Sequence, residues 1–132
     1  SKWRPCIMAS ILRVNTLTDA SSNNSTPMAT VHQGTLKAWG NFDGSGTVGT
    51  NDSFNMDSLT DNGTGNYTIN ITNDLANANG CMSGYSIMDG LCYGDNSNVS
   101  SAGSFRMRVV VGSSNSLMDP DEFHVQIVGD IA

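Results

Sequence analysis

Thr60–Thr72 reads TDNGTGNYTINIT, and this stretch decides the fold class. Asn62-Gly63 with Gly65 close behind is a tight-turn signal, because Asn and Gly accept the positive φ that a short hairpin needs. Beyond the turn, Tyr67, Ile69 and Ile71 point one way and Thr68, Asn70 and Thr72 the other. A strict period of two, with one apolar and one polar side, predicts a half-buried strand of an antiparallel sheet.

The same signal recurs outward from here. Thr35–Phe42 (TLKAWGNF) is read as a strand with Leu36, Ala38 and Phe42 on one face and Lys37 and Trp39 on the other. A flexible Asp-Gly-Ser-Gly turn follows it. SFNMDSL, from Ser53 to Leu59, comes after a Gly-Thr-Asn-Asp turn, and CMSGYSIM, from Cys81 to Met88, is a weaker strand. SFRMRVVV, from Ser104 to Val111, turns Phe105, Met107, Val109 and Val111 inward and Arg106 and Arg108 outward. EFHVQIV, from Glu122 to Val128, does the same with Phe123, Val125 and Ile127. No stretch carries a convincing amphipathic helical period. Short strands separated by Gly- and Asn-rich turns predict an all-β fold: a small antiparallel β-sandwich or jelly-roll-like domain. Its expected core is Leu36, Phe42, Phe54, Tyr67, Ile69, Ile71, Phe105, Met107, Val109, Phe123, Val125 and Ile127.

The chain divides into an extended N-terminal arm and linker, 1–27, and a sandwich domain, 28–132. Within the arm, Ile11, Leu12, Val14 and Leu17 are apolar, and Thr18–Pro27 (TDASSNNSTP) is read as a polar linker. The arm has two readings, a disordered tail or an attachment segment that docks on another subunit. The second accounts for four aliphatics in seven residues. Those four have no turn or partner strand of their own in the sequence.

Length and composition bound the rest. At 132 residues the chain is long enough to bury a core without metals or disulfides. Six Lys and Arg stand against twelve Asp and Glu, a net charge of −6, which disfavours nucleic acid and anionic membranes as partners. No apolar run reaches the length of a membrane span. The apolar stretch Cys6 to Ala9 is too short for a signal-peptide core. The Asn-x-Ser/Thr triplets, such as Asn66-Tyr67-Thr68, are therefore read as unglycosylated. The three cysteines, Cys6, Cys81 and Cys92, make a poor disulfide framework and are expected to be free thiols, although Cys81 and Cys92 could pair across a loop.

Two segments together resemble a known family. GTLKAWGNFDGSGTV, from Gly34 to Val48, and DSFNMDSLTDNGTGNYTINIT, from Asp52 to Thr72, resemble a pattern in phage tail-fibre and virion-surface proteins of marine and cyanobacterial phages. That pattern runs Lys-Ala-Trp strand, Asn-Phe-x-Gly-x-Gly-Thr-Val turn, Ser-Phe-Asn strand, then Asp-Asn-Gly-x-Gly-x-Tyr-Thr. The head MASILRVNTLTDASSNNS and the close FHVQIVGD are similar to the ends of such proteins. The likeness covers most of the chain from Met8 onward and is specific in Lys37–Thr72. Gly40 departs from it, standing where the family has a bulky β-former. So does Gly49-Thr50, where the family has an apolar–basic pair. The resemblance implies a non-enzymatic structural component of a bacteriophage particle, a tail-fibre or related surface-exposed protein that contributes to host attachment. It further implies a homotrimer and other phage structural proteins as partners. The virion is then its location, with assembly in the host cytoplasm. A capsid decoration protein and a carbohydrate-binding, lectin-like module are the alternatives.

Few residues offer other chemistry. Asp43, Asp52 and Asp57 could supply paired carboxylates for glycoside hydrolysis, but each lies at a turn, where Asp is favoured for local hydrogen bonding. DPDEF, from Asp119 to Phe123, and FDGSG, from Phe42 to Gly46, lack the ligand spacing of a calcium loop. His32 and His124 read as exposed surface residues. No catalytic residue, metal or cofactor is expected. Trp39, Tyr85 and Tyr93 are the candidates for stacking on a host glycan. For Trp39 the competing reading is a contact with a second subunit. Ile11, Leu12, Val14 and Leu17 are the candidates for subunit or virion attachment.

Overall fold

A computed structural model describes residues 12–94 and 101–130. It divides between Val31 and His32 into two compact units. In the first unit, β1 (Thr16–Thr18) pairs antiparallel with β2 (Ser25–Pro27). The turn between them is held by Asp19, whose carboxylate accepts from Asn23 N–H and from the Asn24 amide. The expected linker is thus largely a hairpin, and Leu17 does have a partner strand, opposite Thr26. Asp, Ser and Asn supply that turn, so the residues that read as a linker are the ones that close it.

α1 (Met28–Gly34) crosses the boundary between the units. It buries none of its residues, which is why no apolar stripe betrays it. Thr35 Oγ donates to the carbonyl of His32 at its C-terminal end.

The second unit is the sandwich. β3 (Ala38–Asp43), β4 (Gly49–Phe54), β7 (Cys81–Ser86) and β10 (Phe123–Val128) form one sheet in the order β4-β3-β10-β7. β5 (Met56–Asp61), β6 (Asn66–Ile71), β8 (Gly90–Gly94) and β9 (Ser104–Val111) form the other in the order β5-β6-β9-β8. All the pairings are antiparallel. The expected all-β sandwich is therefore present, but Ser53–Leu59, read as one strand, is broken at Asn55 between β4 of one sheet and β5 of the other, the expected Gly-Thr-Asn-Asp turn is the start of β4, and β8 is added.

The chain changes sheet four times, and two of the crossings are tight corners. Between β4 and β5 only Asn55 intervenes, in the left-handed region at φ 55°. Its side-chain amide donates to the carbonyls of Lys37 and Asn73, and its Oδ1 accepts from Asn73 N–H. Asn is suited to both tasks, since it tolerates this φ and carries a donor and an acceptor on a short stem. Between β7 and β8 the corner is Ile87–Asp89, with Met88 at φ 62°.

The core lies between the sheets. Ala38, Phe42, Tyr67, Ile69, Ile71, Phe105, Met107, Val109, Phe123, Val125 and Ile127 are buried in it. Ten of the twelve expected core residues are among them. The other two are not. Leu36 is 44% exposed and precedes β3, while Phe54 is 55% exposed. The register explains Phe54: it stands opposite Trp39, on the outer face of its sheet. Lys37, read as outward with Trp39, is buried at 5% exposure, and its ammonium donates to Thr35 Oγ. Val111, expected inward, is only partly buried, whereas Val110 is fully covered and forms an isolated antiparallel bridge with Leu117.

Three rings organise this core. Tyr67 stacks on Phe123 with centroids 4.7 Å apart, and Phe42 lies against Phe123 at 5.3 Å. The Tyr67 hydroxyl lies 3.0 Å from Asp119 Oδ1 and 3.1 Å from the carbonyl of Gly44. The same Asp119 oxygen accepts from Gly65 N–H at 2.7 Å. Neither glycine can carry a side chain here. A Cβ on Gly44 would stand 2.5 Å from the Tyr67 oxygen, and one on Gly65, at φ 60°, would strike the Val109 carbonyl.

Two predictions follow from this packing. Ile69→Ala should cost ~2–5 kcal/mol in urea denaturation, because it leaves a cavity in a filled core. Phe54→Ser should stay within about 0.5 kcal/mol, the ordinary range for exposed sites.

Tyr67→Phe should cost about 1–3 kcal/mol at neutral pH, since it leaves buried acceptors unmet. Burial, and then the Asp119 carboxylate, push the Tyr67 hydroxyl well above its ordinary 10.0. A raised pKa favours the neutral phenol in the folded state. Its contribution is complete below pH 10.0 and is lost as pH rises beyond that. The difference in stability between wild type and Tyr67→Phe should therefore shrink above about pH 10, measured by urea melts across the alkaline range.

Candidate functional site

The outer face of the β4-β3-β10-β7 sheet is built by register. Two rows of outward side chains cross it. One runs Phe54, Trp39, Gln126, Ser83, and the next runs Asp52, Asn41, His124, Tyr85. Between them lies Gly40, Val125, Gly84, whose side-chain positions point inward. The Phe42 ring fills the space under Gly40, where a Cβ would come within 2.3 Å of it. That accounts for a glycine at a position where a bulky residue was the pattern. The cleft over these rows has a volume of about 330 Å³ and is lined by Trp39, Ser83, Tyr85, His124 and Gln126, with backbone between them.

Its polar groups are held in place. Gln126 Nε2 donates to Ser83 Oγ at 3.0 Å. Asn41 Nδ2 donates to Glu122 Oε1 at 2.7 Å, and Asn51 Nδ2 donates to Asn41 Oδ1 at 3.1 Å. His124 Nε2 stands 3.0 Å from the same Glu122 oxygen. The Tyr85 ring lies parallel on the His124 ring, with centroids 4.4 Å apart and an interplanar angle of 12°. His124 is on the outward face as expected, but it is engaged on two sides and only a quarter of its side chain is exposed. Trp39 keeps 36% of its surface exposed and Tyr85 59%.

The structure brings Trp39 and Tyr85 onto this one face. Tyr93 lies elsewhere, on β8 of the other sheet and opposite Arg108. Gln126 and Ser83 were not singled out from the sequence, and His124 was read there only as an exposed surface residue. The signal that could have found them is cross-strand pairing, which alternation alone does not give.

The remaining candidates are placed as follows. Leu12, Val14 and Leu17 are exposed within the first unit, and Ile11 lies outside the described residues. Asp43 accepts from both N–H and Oγ of Ser45 at 2.8 Å, and these bonds hold its carboxyl below the usual range. That is an Asx turn closing the β3 end. Asp52 sits on the outer face of β4, where its carboxylate accepts from Ser53 N–H. Asp57 lies at the register shift in β5, beside Ser58. Among the described residues, no group of three or more His, Cys, Asp or Glu is placed to hold a metal. A second cleft, of about 560 Å³, lies around the Asn55 corner and is lined by Leu36, Phe54 and Leu75 among others. The Asn55 amide there is already committed to backbone carbonyls.

Cys81 and Cys92 are free thiols. Cys81 is exposed on edge strand β7, opposite Val128, while Cys92 turns inward opposite Val109. Burial pushes the Cys92 thiol up to about 11. Cys6 lies outside the described residues. In the native protein, a chromogenic disulfide reagent at neutral pH should label Cys81 promptly and Cys92 slowly. In denaturant without reductant, all three cysteines should react. Only one reactive thiol would reveal a disulfide.

No protein family, curated protein or solved structure matches the chain.

Proposed function

We propose that this chain is a non-enzymatic structural component of a bacteriophage particle, a tail-fibre or related surface-exposed virion protein that contributes to host attachment. It works as a homotrimer alongside other phage structural proteins and is assembled in the host cytoplasm. The observation that carries this reading is what the phage-like motif residues do. Gly44 of the Asn-Phe-x-Gly turn, and Gly65 and Tyr67 of the Asn-Gly-x-Gly-x-Tyr turn, meet at one point. There they join the two sheets through Asp119. A motif spent on a joint between sheets fits a scaffold that carries surfaces, rather than a catalytic centre. The exposed Leu12, Val14 and Leu17 support the attachment role of the N-terminal part, since apolar groups left in water favour a partner.

The lectin-like alternative is favoured by a different observation, the outward Trp39 and Tyr85 on one sheet face. It differs from the main reading in location more than in chemistry.

The test is immunogold labelling of purified phage particles with antibody to this chain, alongside light scattering of the isolated protein. Labelled particles and a trimeric mass are expected. Particles lacking the chain would overturn the virion assignment, and a monomeric mass would overturn the trimer.

A further inference from the structure

We propose that the outer face of the β4-β3-β10-β7 sheet binds an uncharged oligosaccharide, with Trp39 and Tyr85 as stacking plates and Gln126 and Ser83 bonding the hydroxyls between them. This deepens the host-attachment reading by naming the ligand class and the residues that meet it.

The first argument is the order of side chains across the face. A protein–protein contact places its apolar groups centrally and its polar groups at the rim. Here the order is reversed, because Gln126 stands between Trp39 and Ser83, and Asn41 and Tyr85 flank His124. Aromatic plates with amides between them suit a pyranose ring, which has an apolar face and a polar edge.

The second argument is preorganisation. Gln126 donates to Ser83, which leaves its carbonyl and the second amide hydrogen for a ligand. At the border of the cleft, Asn41 ties Glu122 and Asn51 together. Tyr85 is laid flat by the His124 ring beneath it. A ligand would therefore meet side chains that are already ordered, and little freedom would be lost on binding.

The third argument is charge. Glu122 and Asp52 border the face, and the chain as a whole carries −6. His124 is the one basic side chain in the two rows, and it already faces Glu122. Sialylated, sulfated or phosphorylated sugars would be repelled, whereas neutral hexoses and N-acetylhexosamines would not. Size adds a further limit. Trp39 and Tyr85 are two strands and two residues apart, roughly 12 Å from strand spacing and rise. A ligand touching both plates must hold at least two sugar rings.

The test uses the full chain on a glycan array that carries neutral, sialylated and sulfated oligosaccharides, followed by calorimetry with the best neutral binder. Saturable binding to neutral oligosaccharides is expected. Tyr85→Ala and Gln126→Ala should each weaken it about tenfold, and Tyr93→Ala should leave it unchanged. Circular dichroism of each variant should match wild type, as these side chains stand on the outer face of the sheet. In a Trp3→Phe background the neutral ligand should also shift Trp39 fluorescence.

Preference for anionic glycans, equal binding by wild type and Tyr85→Ala, or no saturable binding would each overturn the proposal. So would Trp39 fluorescence already shielded from quencher in the free protein, which would mean that another subunit covers the face. None of these outcomes bears on whether the chain is found in particles. A chain missing from particles that still binds neutral glycans through Tyr85 would keep this site and remove only the virion reading.

Discussion

The hydroxyl of Tyr67 is the point on which the sandwich depends. Its ring belongs to the inner face of one sheet and stacks on Phe123 of the other. Its oxygen reaches Gly44, after β3, and Asp119, before β10. Asp119 in turn fixes Gly65, the last residue of the turn that leads into β6. Three chain segments far apart in sequence thus close on one buried polar atom. A hydroxyl brought into a core without partners would be costly, and the two turns exist in the shape that supplies those partners. The glycines are consequences of the same constraint: with a Cβ at Gly44 or Gly65 the oxygen, or the strand beside it, would have to move.

Once that joint is set, the two outer faces acquire different characters. The β4-β3-β10-β7 face carries Phe54, Trp39 and Tyr85 with amides between. The opposite face, where Arg106 Nε donates to Asn66 Oδ1, is mainly polar and basic apart from Tyr93 and Leu91. Arg106 and Arg108 therefore stand on the other sheet from the proposed sugar face, while Asp52 and Glu122 stand beside it.

The corners impose a second constraint. Asn55 allows β4 to run into β5 with one residue between them, and its side chain bonds the backbone of two neighbouring segments. A residue that turns the chain and satisfies the groups exposed by the turn lets each sheet begin where the other ends. Leu75 has a related role at its end of the sandwich. It is buried at 3% exposure and packs where Gly80 and Gly129 leave room.

The sequence by itself determined the strands that alternate. Tyr67-Ile69-Ile71, Phe105-Met107-Val109 and Phe123-Val125-Ile127 all face inward, because a period of two leaves only one face to bury. The Asn-Gly turn before β6 was legible for an equally local reason, its positive φ. What tertiary structure decided are matters of partner and register. Phe54 reads as core until β4 pairs with β3 and places it opposite Trp39. Leu75 is a lone aliphatic in a polar loop, and only the glycines facing it make a buried slot. The β1–β2 hairpin and α1 escaped because neither buries an apolar stripe. The candidate site was legible one residue at a time, as Trp39 and Tyr85. That His124 and Gln126 stand between those aromatics, and that Tyr93 does not join them, depends on which strand lies beside which. Strand order is set by pairings between segments far apart in sequence, and local alternation carries no record of it.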